Sequence, residues 1–206
     1  MRIIAGSLRG RHIKGAGLDW GVRPISGRIK QSLFDIISGL VPGARLLDLF
    51  AGTGAVGIEA LSRGAAFVFF VDLERHCTEL VARNLAAAGF VDRGKVHFGN
   101  ALSDLSWVPF RSGTSQYDLI FMGPPYKDEQ KRPLSYSTPA LARVAEAGLL
   151  APKGWAMCQH HVKEDVKAPV GWVMVRREKY GDTHLDFFRH VAAQEAQAPA
   201  TDGQAG

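Results

Sequence analysis

Continuous hydrophobic runs along this chain alternate with segments whose hydrophobic residues recur every three or four positions. The runs at 46–50 and 67–71 are largely apolar, which is typical of parallel strands buried on both faces of a sheet. The segments 27–38 and 74–88 place their apolar residues on one face and predict helices. Shorter patterns predict strands at 95–98, 117–122 and 155–159 and a helix at 138–147. This alternation predicts an α/β fold with a mostly parallel sheet.

The two ends of the chain depart from this alternation. Strands are predicted at 172–179 and 185–190, and the turn between them is too short for a crossover helix, so they predict an antiparallel hairpin. At the other end, residues 1–17 predict a small hairpin that precedes the helix at 27–38. The last segment, 194–206, consists mainly of Ala, Gln, Gly and Pro and is predicted to be disordered.

A glycine-rich turn at 51–57 separates the strand at 46–50 from the helix that follows it. Glycines allow a tight turn and a close approach of a ligand to the backbone, and the next helix begins with free N–H groups. Gly52, Gly54 and Gly57 also match the spacing of the dinucleotide fingerprint, and Asp72 lies 20 residues beyond Gly52. The turn therefore predicts a ligand with an adenosine group, and it leaves open whether that ligand is a nicotinamide cofactor.

Positive charge is concentrated at the start of the chain. The net charge of the 206 residues is +5, whereas residues 1–30 alone hold seven Lys and Arg residues against one acid. A basic arm in front of a neutral domain indicates a polyanionic partner, of which nucleic acid is the first candidate. We therefore divide the chain into a basic arm and helix at 1–40, which is the candidate part for binding a polyanion, an α/β domain at 41–193 and a tail at 194–206.

Several classes of protein are disfavoured by the composition. No run approaches the roughly 18 apolar residues of a membrane span, and the first residues lack the apolar core of a secretory signal. Cys77 and Cys158 are far apart, which favours reduced thiols over a disulfide. His160 and His161 have no acidic or cysteine cluster at ligand spacing, so no metal is expected and the pair is interpreted as a surface pair at a strand end. A cytoplasmic protein without a membrane partner is predicted.

The turn after the strand at 117–122 narrows the choice of ligand. Gly123 is followed by Pro124, Pro125 and Tyr126, so this loop has a fixed backbone, two fewer N–H donors and an aromatic side chain. The arrangement resembles the Asp/Asn-Pro-Pro-Tyr motif of amino methyltransferases that use S-adenosylmethionine. Its position downstream of the glycine-rich turn favours a functional interpretation.

An ordered set of motifs extends this resemblance over nearly the whole chain apart from its tail. The set consists of MRIIAG at 1–6, RGR at 9–11, Arg23-Pro24 with Arg28 and Leu33-Phe34, LDLFAGTGAVGIEALSRGA at 47–65, and YGDTHL at 180–185. With these motifs the chain resembles the bacterial 16S ribosomal RNA guanine-N2 methyltransferase family. The N-terminal motifs and the second half of the glycine segment are the most specific parts.

The resemblance implies a Rossmann-like class I methyltransferase fold, with a seven-stranded, mostly parallel sheet that ends in an antiparallel hairpin. It implies methyl transfer from S-adenosylmethionine to the N2 amine of a guanine, with S-adenosylhomocysteine as product, and 16S rRNA or the assembled small subunit as partner of a monomeric enzyme. The implied catalytic residues are Gly123, Pro124, Pro125 and Tyr126; the cofactor residues are Asp48, Phe50, Ala51, Gly52, Gly54, Asp72, Leu73, Asn100 and Ala101; the RNA-binding residues are Arg2, Arg9, Arg11, Arg23 and Arg28.

Three positions depart from the family pattern, and one of them bears on activity. Asn100 and Gly27 each stand where an Asp is usual, and both changes are mild. Gly123 replaces the Asp or Asn before the prolines, which removes a side-chain acceptor and predicts a rate loss of roughly 10²–10³. Three hypotheses follow: a working or slowed methyltransferase, a protein that binds cofactor and RNA without efficient transfer, and a nicotinamide oxidoreductase.

Overall fold

The computed structural model describes residues 2–15, 25–128 and 130–191. Within them, seven strands form one sheet and five α-helices flank it. The strands are β1 (Arg45–Leu49), β2 (Phe67–Asp72), β3 (Gly94–Phe98), β4 (Tyr117–Met122), β5 (Leu150–His161), β6 (Trp172–Tyr180) and β7 (Thr183–His190). The helices are α1 (Gly27–Ile36), α2 (Ala55–Ser62), α3 (Arg75–Ala88), α4 (Val108–Ser112) and α5 (Ser137–Glu146), with a 3₁₀ turn at Ser38–Leu40.

The order of the strands in the sheet is β3-β2-β1-β4-β5-β7-β6. Strands β1 to β5 run parallel to one another, and β7 is antiparallel to both β5 and β6. The chain first builds outward from β1 to β3 and then returns to the other side of β1 with β4. This reversal is the point at which open α/β sheets bind ligands, beyond the carboxyl ends of the strands. The predicted fold is confirmed.

Two hydrophobic layers cover the faces of the sheet. Side chains of α1, α2 and α3 pack with Leu46, Phe70 and Phe121 on one face. Side chains of α4 and α5 pack with Leu47, Phe69 and other sheet residues on the opposite face. Because strand side chains alternate between the faces, the continuous apolar runs in the sequence supply both layers.

Several predicted elements differ in extent from the observed ones. Strand β5 starts five residues earlier than predicted, because a register shift against β4 accommodates Pro152 and Gly154. Helix α4 is short and contains Pro109, and its sequence did not predict it. The predicted N-terminal strands are only an antiparallel bridge between Arg2 and His12, supported by the Ile3 N–H, which donates to the Arg11 carbonyl at 2.9 Å.

Some predictions fall outside the described residues, namely Arg23 and the tail at 194–206. In the part of the chain that the structure covers, no helix has the length and apolarity needed to cross a bilayer.

Candidate functional site

The glycine-rich turn joins β1 to α2 at the carboxyl edge of the sheet. Phe50 has φ = 60°, a left-handed conformation that is unusual for a bulky side chain. Gly52 and Gly54 follow with φ of 54° and 76°, and Gly54 directly precedes α2. At Gly57, a Cβ atom would lie 2.2 Å from the Phe70 ring, so only glycine lets α2 pack closely on β2. Strained backbone of this kind is concentrated at functional sites.

Asp48 holds this turn from inside the protein. Its side chain is buried, and its Oδ2 accepts a hydrogen bond from the N–H of Gly57 at 2.9 Å. Burial raises the pKa of Asp48 to about 8, and the nearby Asp72 carboxylate adds to the rise while the Gly57 hydrogen bond opposes it. The direct contact of Asp48 is therefore with the start of α2, and its implied role as a cofactor residue stays a prediction.

Asp48→Asn should change how stability depends on pH. A carboxyl whose pKa is raised in the folded state holds a proton that the unfolded chain releases, so the wild type loses stability as the pH rises from about 4 to 8. Asparagine keeps an acceptor for Gly57 and has no proton to lose. The free energies of unfolding of both proteins are measured in urea at pH 5 and pH 8, without ligand. We expect the difference, variant minus wild type, to increase by about 3 kcal/mol from pH 5 to pH 8. An equal difference between the two proteins at both pH values would contradict this prediction.

Asp72 connects the ends of β1 and β2. Its Oδ2 accepts from the Gly52 N–H at 2.7 Å and its Oδ1 accepts from the Glu74 N–H at 2.9 Å. Burial raises its pKa, and these two hydrogen bonds act in the opposite direction. The next side chain, Leu73, is 53% exposed. A carboxylate thus lies beside an exposed apolar side chain at the carboxyl edge of the sheet, and the implied cofactor contacts of Asp72 and Leu73 stay predictions.

The turn after β3 carries the third set of predicted cofactor residues. Asn100 is exposed, and its Oδ1 accepts from the Leu102 N–H at 2.9 Å, which closes a local turn. Ala101 is buried against the second hydrophobic layer. The turns after β1, β2 and β3 thus lie side by side, as the strand order requires.

The Pro-Pro loop follows β4 on the other side of β1. The Gly123 N–H lies 3.4 Å from the Leu49 carbonyl, which ties this loop to the end of β1. Pro124 is buried and Pro125 is exposed. The hydroxyl of Tyr126 accepts from Gln159 Nε2 at 2.8 Å and donates to Thr183 Oγ1 at 3.3 Å. The sequence predicted Tyr126 but missed Gln159 and Thr183, which approach only because β4, β5 and β7 are brought together in the sheet.

The interpretation of His160 as a surface residue was wrong. His160 is buried, and its Nε2 lies 2.9 Å from Asp186 Oδ2. Arg177 donates two hydrogen bonds to the Asp186 carboxylate, each of 2.7 Å. Burial favours a high pKa for Asp186, but the bonds from Arg177 and His160 outweigh it and lower the pKa. These residues join β5, β6 and β7. Among the described residues, no group of three His, Cys, Asp or Glu side chains is placed to hold a metal ion.

The basic arm presents its arginines on the outside of the protein. Arg2, Arg9, Arg11 and Arg28 are all exposed. Arg11 donates to the carbonyl of Ala87 near the end of α3. The guanidinium carbon of Arg28 lies 5.9 Å from the centre of the Tyr180 ring, at the turn between β6 and β7. The exposed arginines thus extend from the arm to the turn between β6 and β7. Thr183, which follows this turn, is hydrogen-bonded to Tyr126.

A buried charge network fastens the arm to α2. Glu59 is fully buried, and its carboxylate contacts Lys30 Nζ at 2.8 Å and Arg63 Nε at 2.9 Å. The same carboxylate accepts from the N–H groups of Ile4 and Ala5 at 2.9 and 3.0 Å. The sequence predicted none of these contacts. The arm and α1 are therefore part of the same packed body as the sheet.

Comparisons with known proteins agree with this geometry. A family model described as "Conserved hypothetical protein 95" matches residues 1–189. The chain is 33% identical to "Putative rRNA methyltransferase YlbH" of Bacillus subtilis (strain 168), over 92% of this chain and 98% of that one. It is 29% identical to "Ribosomal RNA small subunit methyltransferase D" of Escherichia coli (strain K12), over 96% and 94%.

Solved structures show the same architecture. "Putative methyltransferase yhhF from Escherichia coli" superposes with a TM-score of 0.75 at 25% identity, over 92% of this chain and 97% of that one. SMU.776, "a putative methyltransferase complexed with SAH", superposes with a TM-score of 0.61 at 16% identity, over 84% and 51%. The latter likeness concerns the fold alone. Structural neighbours of this chain therefore include a methyltransferase fold solved with S-adenosylhomocysteine.

Proposed function

Since this chain belongs to the family described as "Conserved hypothetical protein 95", we propose that it transfers a methyl group from S-adenosylmethionine to the N2 amine of a guanine in 16S rRNA. The curated relatives cover nearly the full chain and carry the names of rRNA methyltransferases. One observation carries the proposal: the glycine-rich turn after β1 and the Pro-Pro loop after β4 lie next to each other, where the order of the strands reverses. There the Gly52 N–H binds Asp72, and Gly123 binds the end of β1.

The nicotinamide oxidoreductase is not favoured. The sheet ends in the antiparallel strands β6 and β7, whereas the dinucleotide fold adds further parallel strands. The named relatives are methyltransferases over nearly their whole lengths. We therefore assign the glycine-rich turn to S-adenosylmethionine. Asp48 and the backbone around Gly52 and Gly54 would hold its methionine part, and Asp72 would accept hydrogen bonds from its ribose hydroxyls. Leu73, Asn100 and Ala101 would lie along the adenine.

The residues of the second loop would position the target base. When bound, the cofactor supplies an electrophilic methyl group on a sulfonium. The carbonyl groups of Gly123 and Pro124 would accept hydrogen bonds from the exocyclic amine, whose lone pair is otherwise delocalised into the ring. The Tyr126 ring, held through its hydroxyl, would stack on a base turned out of the RNA. Holding the amine in line with the methyl carbon supplies most of the rate gain.

The basic arm would bind the substrate by its phosphates. Residues 1–40 then act as the RNA-binding extension of a monomeric cytoplasmic enzyme, and the exposed arginines position the RNA without reading its sequence. The partner is either free 16S rRNA or the assembled small subunit.

Transfer of labelled methyl groups tests this proposal. Small subunits and 16S rRNA from cells that lack this protein are each incubated with the wild-type chain and labelled S-adenosylmethionine. We expect one guanine of 16S rRNA to acquire label at N2, as mapped by nuclease digestion and mass spectrometry. An Asp72→Leu variant, which loses the proposed ribose acceptor, serves as the control. Lack of labelling in both substrates, or label on another base, would contradict the proposal.

A further inference from the structure

A single oxygen near Tyr126 has no hydrogen bond. It is Oε1 of Gln159, which is shielded from solvent and has no partner among the described atoms. Buried polar groups are nearly always hydrogen-bonded, and the rare exceptions call for an explanation such as a catalytic role. The other end of the same amide is well placed, since Nε2 donates to the Tyr126 hydroxyl at 2.8 Å.

The hydrogen-bond directions fix which end of the amide is free. Thr183 Oγ1 lies 3.4 Å from Asp182 Oδ1, which can only accept, so the threonine proton points to the carboxylate. The Tyr126 hydroxyl then donates to Thr183 and accepts from Gln159. The donor end of the Gln159 amide therefore faces Tyr126, and its oxygen is the end left over.

Gln159 is also the neighbour of the position where the family pattern has an acidic or amide side chain. In the pairing of β4 with β5, Met122 lies opposite Cys158, so the next residues, Gly123 and Gln159, are adjacent. In a strand, side chains two residues apart lie on the same face of the sheet, so a side chain at position 123 would share a face with Phe121. Gln159, opposite position 123 on β5, has its side chain on that face too. A Cβ atom at Gly123 would indeed lie 3.1 Å from the Phe121 ring.

We propose that Gln159 supplies the side-chain acceptor that Gly123 lacks, and that its Oε1 binds a hydrogen of the guanine N2 amine. This inference rests on the proposed function. In the transfer, a bond forms between N2 and the methyl carbon, the carbon–sulfur bond breaks with its electrons on sulfur, and one N2 proton is released to solvent. Gln159 accepts a hydrogen bond and not the proton, because a neutral amide is not a base. Binding of the base must uncover this oxygen.

The first test compares Gln159→Leu with Gln116→Leu, the same change at an exposed glutamine immediately before β4. Single-turnover transfer is measured at saturating S-adenosylmethionine on the RNA found with the wild type. We expect Gln159→Leu to be about 10²-fold slower, as for loss of one preorganised partner in other enzymes, and Gln116→Leu to match the wild type. A rate for Gln159→Leu within threefold of the wild type would overturn the assignment.

A binding measurement provides a readout apart from activity. Inosine lacks the N2 amine, so RNA with inosine at the mapped position cannot use the proposed acceptor. With S-adenosylhomocysteine present, we expect the wild type to prefer the guanine RNA by about three- to tenfold. Gln159→Leu should show a smaller preference, because only the main-chain carbonyls of Gly123 and Pro124 remain to accept from the amine. Equal preferences in the two proteins would overturn the proposal.

Gln159 could affect transfer either as an acceptor for the amine or by holding the Tyr126 ring in place. Two further variants distinguish these roles. Tyr126→Phe breaks the bond to Gln159 but leaves Oε1 in place, so it should slow transfer far less than Gln159→Leu. Gly123→Asp returns a carboxylate to the neighbouring position and should restore the rate of Gln159→Leu to within about tenfold of the wild type, once the Phe121 ring shifts slightly. Equal defects in Tyr126→Phe and Gln159→Leu would overturn the acceptor role. Failure of the wild type itself to transfer would instead overturn the proposed function.

Discussion

Replacement of Glu59 by alanine should lower the free energy of unfolding by about 3–5 kcal/mol, because it leaves the buried ammonium of Lys30 without its counter-charge. The side chain of Lys30 is only 2% exposed, and its Nζ lies 2.8 Å from the Glu59 carboxylate. The substitution also removes the acceptor for the N–H groups of Ile4 and Ala5. Both losses fall on the contact between the arm, α1 and α2.

The matched control is Glu146→Ala, which removes an exposed ion pair with Arg143 of similar length, 2.7 Å. Exposed pairs contribute about 0–1 kcal/mol, so this variant should unfold nearly as the wild type does. Urea unfolding gives both free energies, and hydrogen exchange should show earlier opening at Ile4 and Ala5 in Glu59→Ala only. If Glu59→Ala lowers the free energy of unfolding by less than about 1 kcal/mol, the buried charge network does not stabilise the contact between the arm and α2.

The core of the fold was predictable because its signal is local. The runs that form β1, β2 and β4 are largely apolar and end at glycine or polar turns, so strand, turn and helix follow from neighbouring residues. The strand β5 was predicted too short, since Pro152 and Gly154 indicate a turn unless a bulge in the sheet accommodates them. That bulge depends on the neighbouring strand.

The residues that complete the site were not predictable because their partners are distant in the sequence. Glu59 lies within the glycine-segment motif, but its contacts with Ile4, Ala5 and Lys30 join residues that are distant in the sequence. Gln159 lies 33 residues from Tyr126 and has no motif of its own. The sequence predicts His160 to lie at the surface, because its partner Asp186 is on another strand.

The glycine of the N-terminal motif provides the sharpest test of the arm. Gly6 has φ = 83°, and a Cβ atom there would lie 1.9 Å from the backbone oxygen of Ser62, at the end of α2. That oxygen accepts from the Ser7 N–H at 2.8 Å, and the Ser62 hydroxyl donates to the Ala5 carbonyl at 2.7 Å. Any side chain at position 6 must therefore push the arm away from α2. The clash is between its Cβ atom and the backbone oxygen of Ser62, and neither atom can be moved by a change of rotamer.

Gly6→Ala should consequently separate RNA binding from cofactor binding. Displaced arginines lose phosphate contacts, so we expect RNA affinity to fall at least tenfold, and each lost contact should reduce the slope of log K against log salt by about 1. Affinity for S-adenosylhomocysteine, measured by calorimetry, should stay within about twofold of the wild type, which also shows that the domain is folded. Gly15→Ala is the matched control, since a Cβ there meets nothing within 4 Å. Unchanged RNA affinity in Gly6→Ala would show that the docked arm is not the RNA-binding surface.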